Sequence, residues 1–291
     1  MLKRRGFLTV FRKKAPKGLL FMEKNAFYTD TAGKVPVIRS ALLTVPHGFS
    51  TRAGGVSTLP HLASLNLGFD LGDDIANVLE NRRRFFSAAL GRENPAEKAV
   101  YATQVHSDNV IVCGKNDLGR NDLFLDGFVT NEPGVPLFVR TADCCPLLFS
   151  DPVHRVIGAC HAGWRGTVAG IARKTAEKMC MLGAAPETIR CVIGPCIHVC
   201  CYEVGDDFVK AVREAVSPAL ADLCLVKWED GRYHADLTAL NRRILLDAGL
   251  KDEHIGVCPE CTASDPVRFF SHRASRGKRG LCGGVIMLEE D

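Results

Sequence analysis

The amino-acid sequence predicts an α+β protein, a single domain with a mixed β-sheet core covered by helices. Short apolar segments come in runs separated by Gly, Asp, Asn and Pro, as expected for β-strands. Segments with helical periodicity lie between these runs and do not follow every strand. Because strict βαβ alternation is missing, the pattern favours an α+β arrangement over a doubly wound parallel sheet. The chain contains no internal repeat, no low-complexity tract and no clear linker.

The first predicted helix begins at Asp73-Asp74, because carboxylates are favourable at a helix N-terminus. Strands are predicted next, over 99–105, 109–113, 127–130, 136–140, 145–150 and 155–160. A second helix follows Trp164-Arg165-Gly166, since its apolar residues are spaced three and four apart. The remaining predicted elements are a strand over Ile189–Ile193, helices near 206–216 and 236–248, and a final strand pair near 255–258 and 283–288.

Residues 1–35 are predicted to be a basic, loosely ordered extension ahead of a domain over 36–291. The chain has 37 Lys and Arg against 33 Asp and Glu, a formal net charge of +4, and much of the excess lies in the first 17 residues. The remainder is close to neutral, so nucleic-acid binding is not indicated. A small anionic ligand is compatible with this charge balance.

Several features indicate a cytoplasmic protein without a membrane segment. Arg4-Arg5-Gly6-Phe7-Leu8 is similar to a twin-arginine export motif, but its apolar stretch stops at Phe11 and basic residues follow at once. No apolar run approaches the roughly 18 residues needed to span a bilayer. The 13 cysteines are an odd number and lie mostly in apolar segments. That usage is typical of buried, reduced thiols, not of a disulfide framework.

One cysteine pair has the spacing of a metal or redox motif, Cys258-Pro-Glu-Cys261. A zinc ribbon needs a second ligand pair, and the nearest cluster does not have the required spacing. That cluster is Cys196, His198, Cys200 and Cys201. We therefore expect no metal at the Cys258–Cys261 pair.

Three polar residues stand at the ends of predicted strands: His106, Cys144 and His161. Active sites are often assembled where strands end in loops. Two imidazoles and one thiolate suit zinc, and three protein ligands leave the fourth position free, as in catalytic sites. Their spacing matches no short metal-ligand motif, however, and each residue could equally fill the core.

The stretch from His161 to Gly166 predicts a site for an anion, because a strand ends there and a helix begins. Arg165 would add a guanidinium beside the helix N-terminus. Two other arginines are candidate anion clamps, Arg52 in its glycine loop and Arg273 after Phe269-Phe270. Each of these arginines could instead be a solvated surface residue.

Longer motifs carry a family resemblance. The matching stretches are HGFSTRAGGVS from His47, SLNLG from Ser64, QVHSDNV from Gln104, DGFVTNEPGVPLFVRTADCCP from Asp126, HAGWRGTVAGI from His161, IGPCIHVCCYEVGDDF from Ile193 and RFFSHRAS from Arg268. In this order they resemble the laccase-domain family, also called multicopper polyphenol oxidoreductases, whose members are understood as purine nucleoside phosphorylases. The resemblance implies a mixed-sheet α/β domain.

Residue by residue, the resemblance implies that the metal is held by His106, Cys144 and His161, with Cys144 favoured over its neighbour Cys145. It implies that the substrate and phosphate site includes further matched residues, Arg52, Asn66, Arg165, Gly166 and Arg273. The implied activity is zinc-dependent phosphorolysis of adenosine, inosine, guanosine and methylthioadenosine to the base and ribose 1-phosphate, with adenosine deamination as a side activity. The expected partners are purine nucleosides and inorganic phosphate, and the expected state is a monomer or small homo-oligomer.

Three other functions remain open at this point. The first is a copper-dependent polyphenol oxidase, since copper is possible in a sulfur-rich site, although nine histidines are few for several copper centres. The second is a metal-free hydrolase in which Cys144 is the nucleophile and His161 its base. The third is a non-catalytic adaptor that regulates a partner.

Overall fold

The computed structural model describes residues 27–91, 98–120 and 122–290. Its strands are β1 (Phe27–Asp30), β2 (Val37–Ser40), β3 (His47–Ser50), β4 (Val110–Val112), β5 (Gly127–Thr130), β6 (Leu137–Thr141), β7 (Cys145–Asp151), β8 (Val156–Ala162), β9 (Arg190–Ile193), β10 (Glu203–Val204), β11 (Leu225–Lys227), β12 (Tyr233–Ala235), β13 (Ile255–Val257) and β14 (Cys282–Ile286). Its α-helices are α1 (Ile75–Leu90), α2 (Trp164–Val168), α3 (Ile171–Met181), α4 (Asp206–Ala215), α5 (Pro218–Cys224) and α6 (Leu237–Asp247). These elements confirm the α+β class.

The first large sheet is antiparallel, in the order β1-β2-β3-β14-β6. Helix α1 covers its outer face with an apolar stripe that includes Phe85, Phe86 and Ala89. As predicted, the acidic pair begins this helix, since the Asp74 carboxylate accepts a hydrogen bond from the Ala76 N–H. The inner face of the sheet packs on the second large sheet.

The second sheet is mixed, in the order β13-β9-β7-β8-β5-β4, with parallel pairs only at its two edges. Its central strands, β7 and β8, are buried at every position. One face of this sheet packs on the first sheet, and the other packs on α3 and α6. Strands covered on both faces are expected to be largely apolar, and the sequences of β7 and β8 are apolar except near the strand ends. The result is four layers, with helices outside two packed sheets.

The segment between β9 and α6 adds a small antiparallel sheet, β10-β12-β11, together with α4 and α5. Only α4 was predicted in this segment, because strands of two or three residues are too short to show a periodic pattern. The sheet carries no part of the three-residue cluster described below. Its neighbouring turn, however, contributes Tyr202 to the cleft beside that cluster.

Other predicted elements differ from the structure. The segment over 99–105 makes only isolated bridges, through Val100 and Thr103, and is not a continuous strand. The single helix predicted after Gly166 is two helices, broken at Gly170, whose φ of +84° ends α2. The two last strands do not pair, since β13 lies in the mixed sheet and β14 in the antiparallel one.

Strand β1 lies within the predicted extension over 1–35 and pairs with β2. Residues 1–26 lie outside the described residues. Strands β1 to β3 had no predicted counterpart. None of the helices in the described part of the chain is long and apolar enough to cross a bilayer.

Candidate metal centre and its cleft

His106, Cys144 and His161 converge, although each comes from a different segment. Cys144 directly precedes β7, and His161 lies near the end of β8, which pairs antiparallel with β7. His106 lies in the loop ahead of β4. The Cys144 Sγ and the His106 Nε2 are 3.9 Å apart, and the ligand atoms of all three residues lie within 4.8 Å of one another. The three side chains can therefore hold one metal ion.

Cys145 does not belong to this cluster. Its side chain is fully buried in the apolar core between the mixed sheet and the helices. Consecutive residues of a strand point to opposite sides, so only one of the two thiols can face His106. The structure brings the Cys144 thiol there.

A buried carboxylate that the sequence analysis did not select, Asp126, holds both histidines. The His161 Nδ1 lies 2.8 Å from the Asp126 Oδ1, which also accepts the backbone N–H of His106 at 3.1 Å. The Asp126 Oδ2 accepts the backbone N–H and the hydroxyl of Ser107, at 2.7 and 2.8 Å. Because Nδ1 is engaged, His161 presents its Nε2 to the cluster. The only sequence signal was an acidic residue just ahead of the apolar segment Gly127–Thr130.

The backbone is in the left-handed region at His106 and at the residue that precedes Cys144. His106 has a φ of 60°, and Asp143, next to Cys144, has a φ of 88°. Asp143 is held by its side chain, which accepts the Thr262 hydroxyl and the Arg273 N–H, both at 2.6 Å. Such conformations are uncommon for residues other than glycine and persist where neighbours enforce them. These hydrogen bonds therefore fix the orientation of Cys144 just ahead of β7.

The site favours a charged thiolate even without a metal. Burial opposes ionisation of Cys144, but the charge of His161 and hydrogen bonds from His106 and His161 lower the pKa of its thiol to about 6. Burial also disfavours a charged His161, yet the Cys144 thiolate and the Asp126 carboxylate raise its pKa to about 9. A bound cation would take the place of the proton in this pair.

Gly163 follows the last residue of β8 and packs against the cluster. A Cβ at this position would lie 2.6 Å from the His106 Cδ2 and 3.3 Å from the Cys144 Sγ. Its φ of −66° suits alanine, so Gly163→Ala is expected to fold but to displace His106. We expect metal affinity, measured with zinc as the probe ion, to fall at least about 10-fold, the lower end of the effect of disturbing a ligand's support. Competition with a chromophoric chelator measures this change.

Gly205→Ala is the matched control, because Gly205 also caps a helix and a Cβ there would have no neighbour within 4 Å. Zinc affinity should be unchanged in this variant. Equal affinities for Gly163→Ala and wild type would contradict the described packing of His106.

The three ligands lie in a cleft of about 1000 Å³. Its walls combine flat apolar side chains with guanidinium groups. The aromatic residues are Phe69, Tyr101, Trp164 and Tyr202, and the arginines are Arg140, Arg165, Arg273 and Arg279. Two of the predicted anion-binding residues, Arg165 and Arg273, therefore line the cleft.

Arg279 was not selected from the sequence. It is half-buried, and its Nε has no hydrogen-bond partner among the described residues. Burial lowers the pKa of its guanidinium, against the charges of Asp143 and Cys144, which raise it. An unpartnered buried donor in a cleft is a candidate contact for an anionic ligand.

Three other predicted site residues do not line the cleft, and the structure corrects their roles. The Arg52 guanidinium donates to the carbonyls of Ala63, Pro266 and Pro60, so it joins loops and does not clamp an anion. The Asn66 side chain is fully buried and its bonds hold its own loop and the Asp73 carboxylate. At Gly166 a Cβ would lie 2.7 Å from the Ser107 carbonyl oxygen, so this glycine lets α2 approach the His106 loop.

Comparison with known proteins agrees with this picture. A family model described as multi-copper polyphenol oxidoreductase laccase matches residues 46–289. The chain belongs to this family. A protein of Deinococcus radiodurans named purine nucleoside phosphorylase is 42% identical over 258 residues, which cover 89% of this chain and 95% of that protein. Adenosine deaminase RL5, from an unknown prokaryotic organism, is 34% identical over 232 residues, 77% of this chain and 87% of that protein.

Among solved structures, YlmD of Geobacillus stearothermophilus matches with a TM-score of 0.82 at 35% identity. The match covers 91% of this chain and all of that one. The family match confirms the resemblance inferred from the sequence motifs. The structural match shows that the fold is shared with a protein of solved structure.

Proposed function

We propose that the chain is a zinc-dependent purine nucleoside phosphorylase, which converts nucleosides and inorganic phosphate to the free base and ribose 1-phosphate. The observation that carries the proposal is the position of the metal cluster. His106, Cys144 and His161 lie in a cleft lined by both aromatic rings and arginines. A purine nucleoside presents a flat base that suits the aromatic rings, and a phosphate ion presents a charged group that suits the arginines. The names of the relatives support the same substrates.

The donor set fits zinc. Two imidazole nitrogens and one thiolate are common zinc ligands, and three protein ligands are the pattern of catalytic sites. A tetrahedral ion with bonds of about 2.3 Å to sulfur and about 2.1 Å to nitrogen would separate these atoms by about 3.6 Å. The 3.9 Å between the Cys144 Sγ and the His106 Nε2 is close to this value. A zinc ion held by these three residues would supply a Lewis acid to the substrate.

The residues of the chain bind and orient the reactants. The aromatic rings of Phe69, Tyr101, Trp164 and Tyr202 offer stacking surfaces for a purine. The guanidinium groups of Arg165, Arg273 and Arg279 offer charged donors to phosphate. Among these, Arg279 is the strongest candidate, because it lies near Cys144 and its Nε lacks a partner in the described structure. The Asp126 carboxylate holds the His161 ring and the loop of His106 in place.

The decisive test is the dependence of inosine cleavage on phosphate. We expect release of hypoxanthine only when phosphate is present, with ribose 1-phosphate as the second product and about one zinc per chain by elemental analysis. Fast cleavage without phosphate would contradict phosphorolysis. Adenosine should also release some inosine and ammonia in the same assay, as the deaminase side activity.

Arg279→Ala is expected to lower phosphorolysis at limiting phosphate at least about 30-fold. Loss of one charged partner of an anion commonly costs about 2–5 kcal/mol, and about 1.4 kcal/mol is a factor of ten. Zinc content should not change. Arg173→Ala is the control, because that exposed arginine lies outside the cleft and pairs with Glu177. Wild-type kinetics in the Arg279→Ala variant would rule out its contact with phosphate.

The same cluster also supports a second candidate, a metal-free cysteine hydrolase. The Asp126 carboxylate bonds the Nδ1 of His161, and His161 lies beside the Cys144 thiol. In other enzymes a carboxylate, a histidine and a nucleophile arranged in this way activate the nucleophile. A hydrolase of this kind would need neither phosphate nor zinc. Removing zinc with a chelator and omitting phosphate should therefore leave its activity intact, whereas the phosphorylase loses activity in both cases.

A further inference from the structure

A second cluster of possible metal ligands lies outside the cleft. The thiols of Cys200, Cys201 and Cys261 lie within 4.8 Å of one another. None of the three lines the cleft that holds His106, Cys144 and His161. From sequence spacing we expected no metal at the Cys258–Cys261 pair, since no second pair with suitable spacing follows. The fold supplies the missing partners from another segment, and it uses Cys261 without Cys258.

Two connected segments hold these thiols at their positions. Cys196 and Cys261 form an isolated parallel bridge, and the Thr262 N–H donates to the Cys196 carbonyl at 2.9 Å. A tight turn then carries Cys200 and Cys201 back over Cys261, because the Cys201 N–H donates to the His198 carbonyl at 2.9 Å. The Cys200 and Cys201 sulfur atoms are 3.6 Å apart. The cluster is therefore set by backbone pairing and does not depend on a disulfide.

Two hydrogen-bond donors lie beside the cluster. The backbone N–H of His198 donates to the Cys261 Sγ at 3.3 Å. Hydrogen bonds from neighbouring groups to the ligand atoms orient those atoms and strengthen many metal sites. The Arg273 guanidinium lies beside the turn and donates to the Cys201 carbonyl at 3.2 Å. A cation bound by three thiolates leaves net negative charge, which this guanidinium can offset.

We propose that Cys200, Cys201 and Cys261 form a second metal site that binds one Cu(I) ion. Thiolates select soft cations such as Cu(I), and zinc in a structural site is closed by four ligands. The cluster offers three sulfur ligands among the described residues, with no imidazole or carboxylate in the set. Cys200 is exposed, so an ion can reach the site from solvent. Binding releases the thiol protons to water.

The site adjoins the catalytic cleft through Asp143. Asp143, next to Cys144, accepts the Ile197 N–H through its carbonyl and the Thr262 hydroxyl through its side chain. Its side chain also accepts the Arg273 N–H at 2.6 Å. Both segments of the sulfur cluster are thus bonded to the residue that precedes a catalytic metal ligand.

The test is a titration of the reduced, zinc-loaded protein with Cu(I) under anaerobic conditions, in competition with bicinchoninate. Wild type should take up one tightly bound Cu(I), and X-ray absorption should show sulfur ligands only. Cys200→Ser, at an exposed position, and Cys261→Ser should each lower the affinity at least about 100-fold, since disturbing a ligand's support alone costs 10–100-fold. Cys180→Ser is the matched control, because this half-buried thiol lies outside the cluster and its variant should bind Cu(I) as wild type does.

Copper could also displace zinc from the catalytic ligands, so the titration is repeated in Cys144→Ala. Uptake of one Cu(I) should persist there. Copper binding that survives both Cys200→Ser and Cys261→Ser, or that disappears in Cys144→Ala, would overturn the proposal. Tight binding of Zn(II) alone at the same thiols, retained against excess Cu(I), would overturn the assignment to copper.

Discussion

Replacing Cys144 with alanine is expected to abolish zinc binding and nucleoside cleavage, whereas Cys145→Ala should keep most of both. The Cys144 thiol lies 3.9 Å from the His106 Nε2, and the Cys145 side chain is buried in the core on the helix side of the sheet. Loss of one of the three ligands leaves only two protein ligands, fewer than a catalytic zinc site uses. Zinc affinity should therefore fall at least about 100-fold in Cys144→Ala, and activity should fall to background.

Cys145→Ala is the control for this change, because it removes the neighbouring sulfur without touching the cluster. It should lower the free energy of unfolding by about 1–2 kcal/mol, since it leaves a small cavity in a fully buried position. Elemental analysis, inosine turnover and urea unfolding of both variants separate the two effects. If both folded variants lost zinc equally, the assignment of the ligand to Cys144 would be wrong.

The central elements could be predicted because their sequence pattern matches their burial. Strands β7 and β8 are apolar except for Ser150 and Asp151 at one end of β7 and His161 near the end of β8, and they are buried at every position, so the predicted segments over 145–150 and 155–160 nearly coincide with them. Helix α1 begins where its acidic cap stands. The segment over 99–105 has a similar apolar content, yet it meets its neighbours only through isolated bridges. Apolar content alone does not distinguish a strand from a buried extended loop.

Cys144 and His161 stand at strand ends, as the sequence analysis predicted, but the contacts that support the cluster could not be predicted. Arg52 was predicted to clamp an anion because of its glycine loop. One of the three carbonyls that hold its guanidinium belongs to Pro266, 214 residues away in the chain. Asp126 was missed for a related reason, since its partner His161 is 35 residues away. Local patterns contain no information on such pairings, which depend on how the sheets assemble.

The residue whose role depends most on this assembly is Asp126, and Asp126→Asn is expected to lower zinc affinity about 100-fold. One oxygen of the carboxylate accepts from the His161 ring and the His106 N–H, and the other accepts from the Val105 and Ser107 N–H groups. An asparagine offers one oxygen and one NH₂ group. In either orientation its NH₂ therefore faces N–H donors, so one set of contacts must break.

Broken contacts at a buried position also lower stability, by about 1–3 kcal/mol for each unsatisfied group. A change in zinc content alone would therefore not separate positioning of the histidines from general loss of the fold. Asp151→Asn provides the matched control. Asp151 is also fully buried, its carboxylate also bonds a histidine Nδ1, that of His154 at 2.8 Å, and it lies at the far end of β7 from Cys144. Asparagine there should destabilise the fold to a similar extent without reaching the metal ligands.

We therefore expect the two variants to unfold at similarly reduced temperatures but to differ in zinc affinity, measured by chelator competition at a temperature where both are folded. Asp126→Asn should bind zinc about 100-fold more weakly than Asp151→Asn. In Asp126→Asn, saturating zinc should restore part of the inosine turnover, because all three ligands are still present and only their orientation is lost. Equal zinc affinities in the two variants would show that Asp126 serves the fold and not the metal, and Asp126 would then drop out of the proposed site.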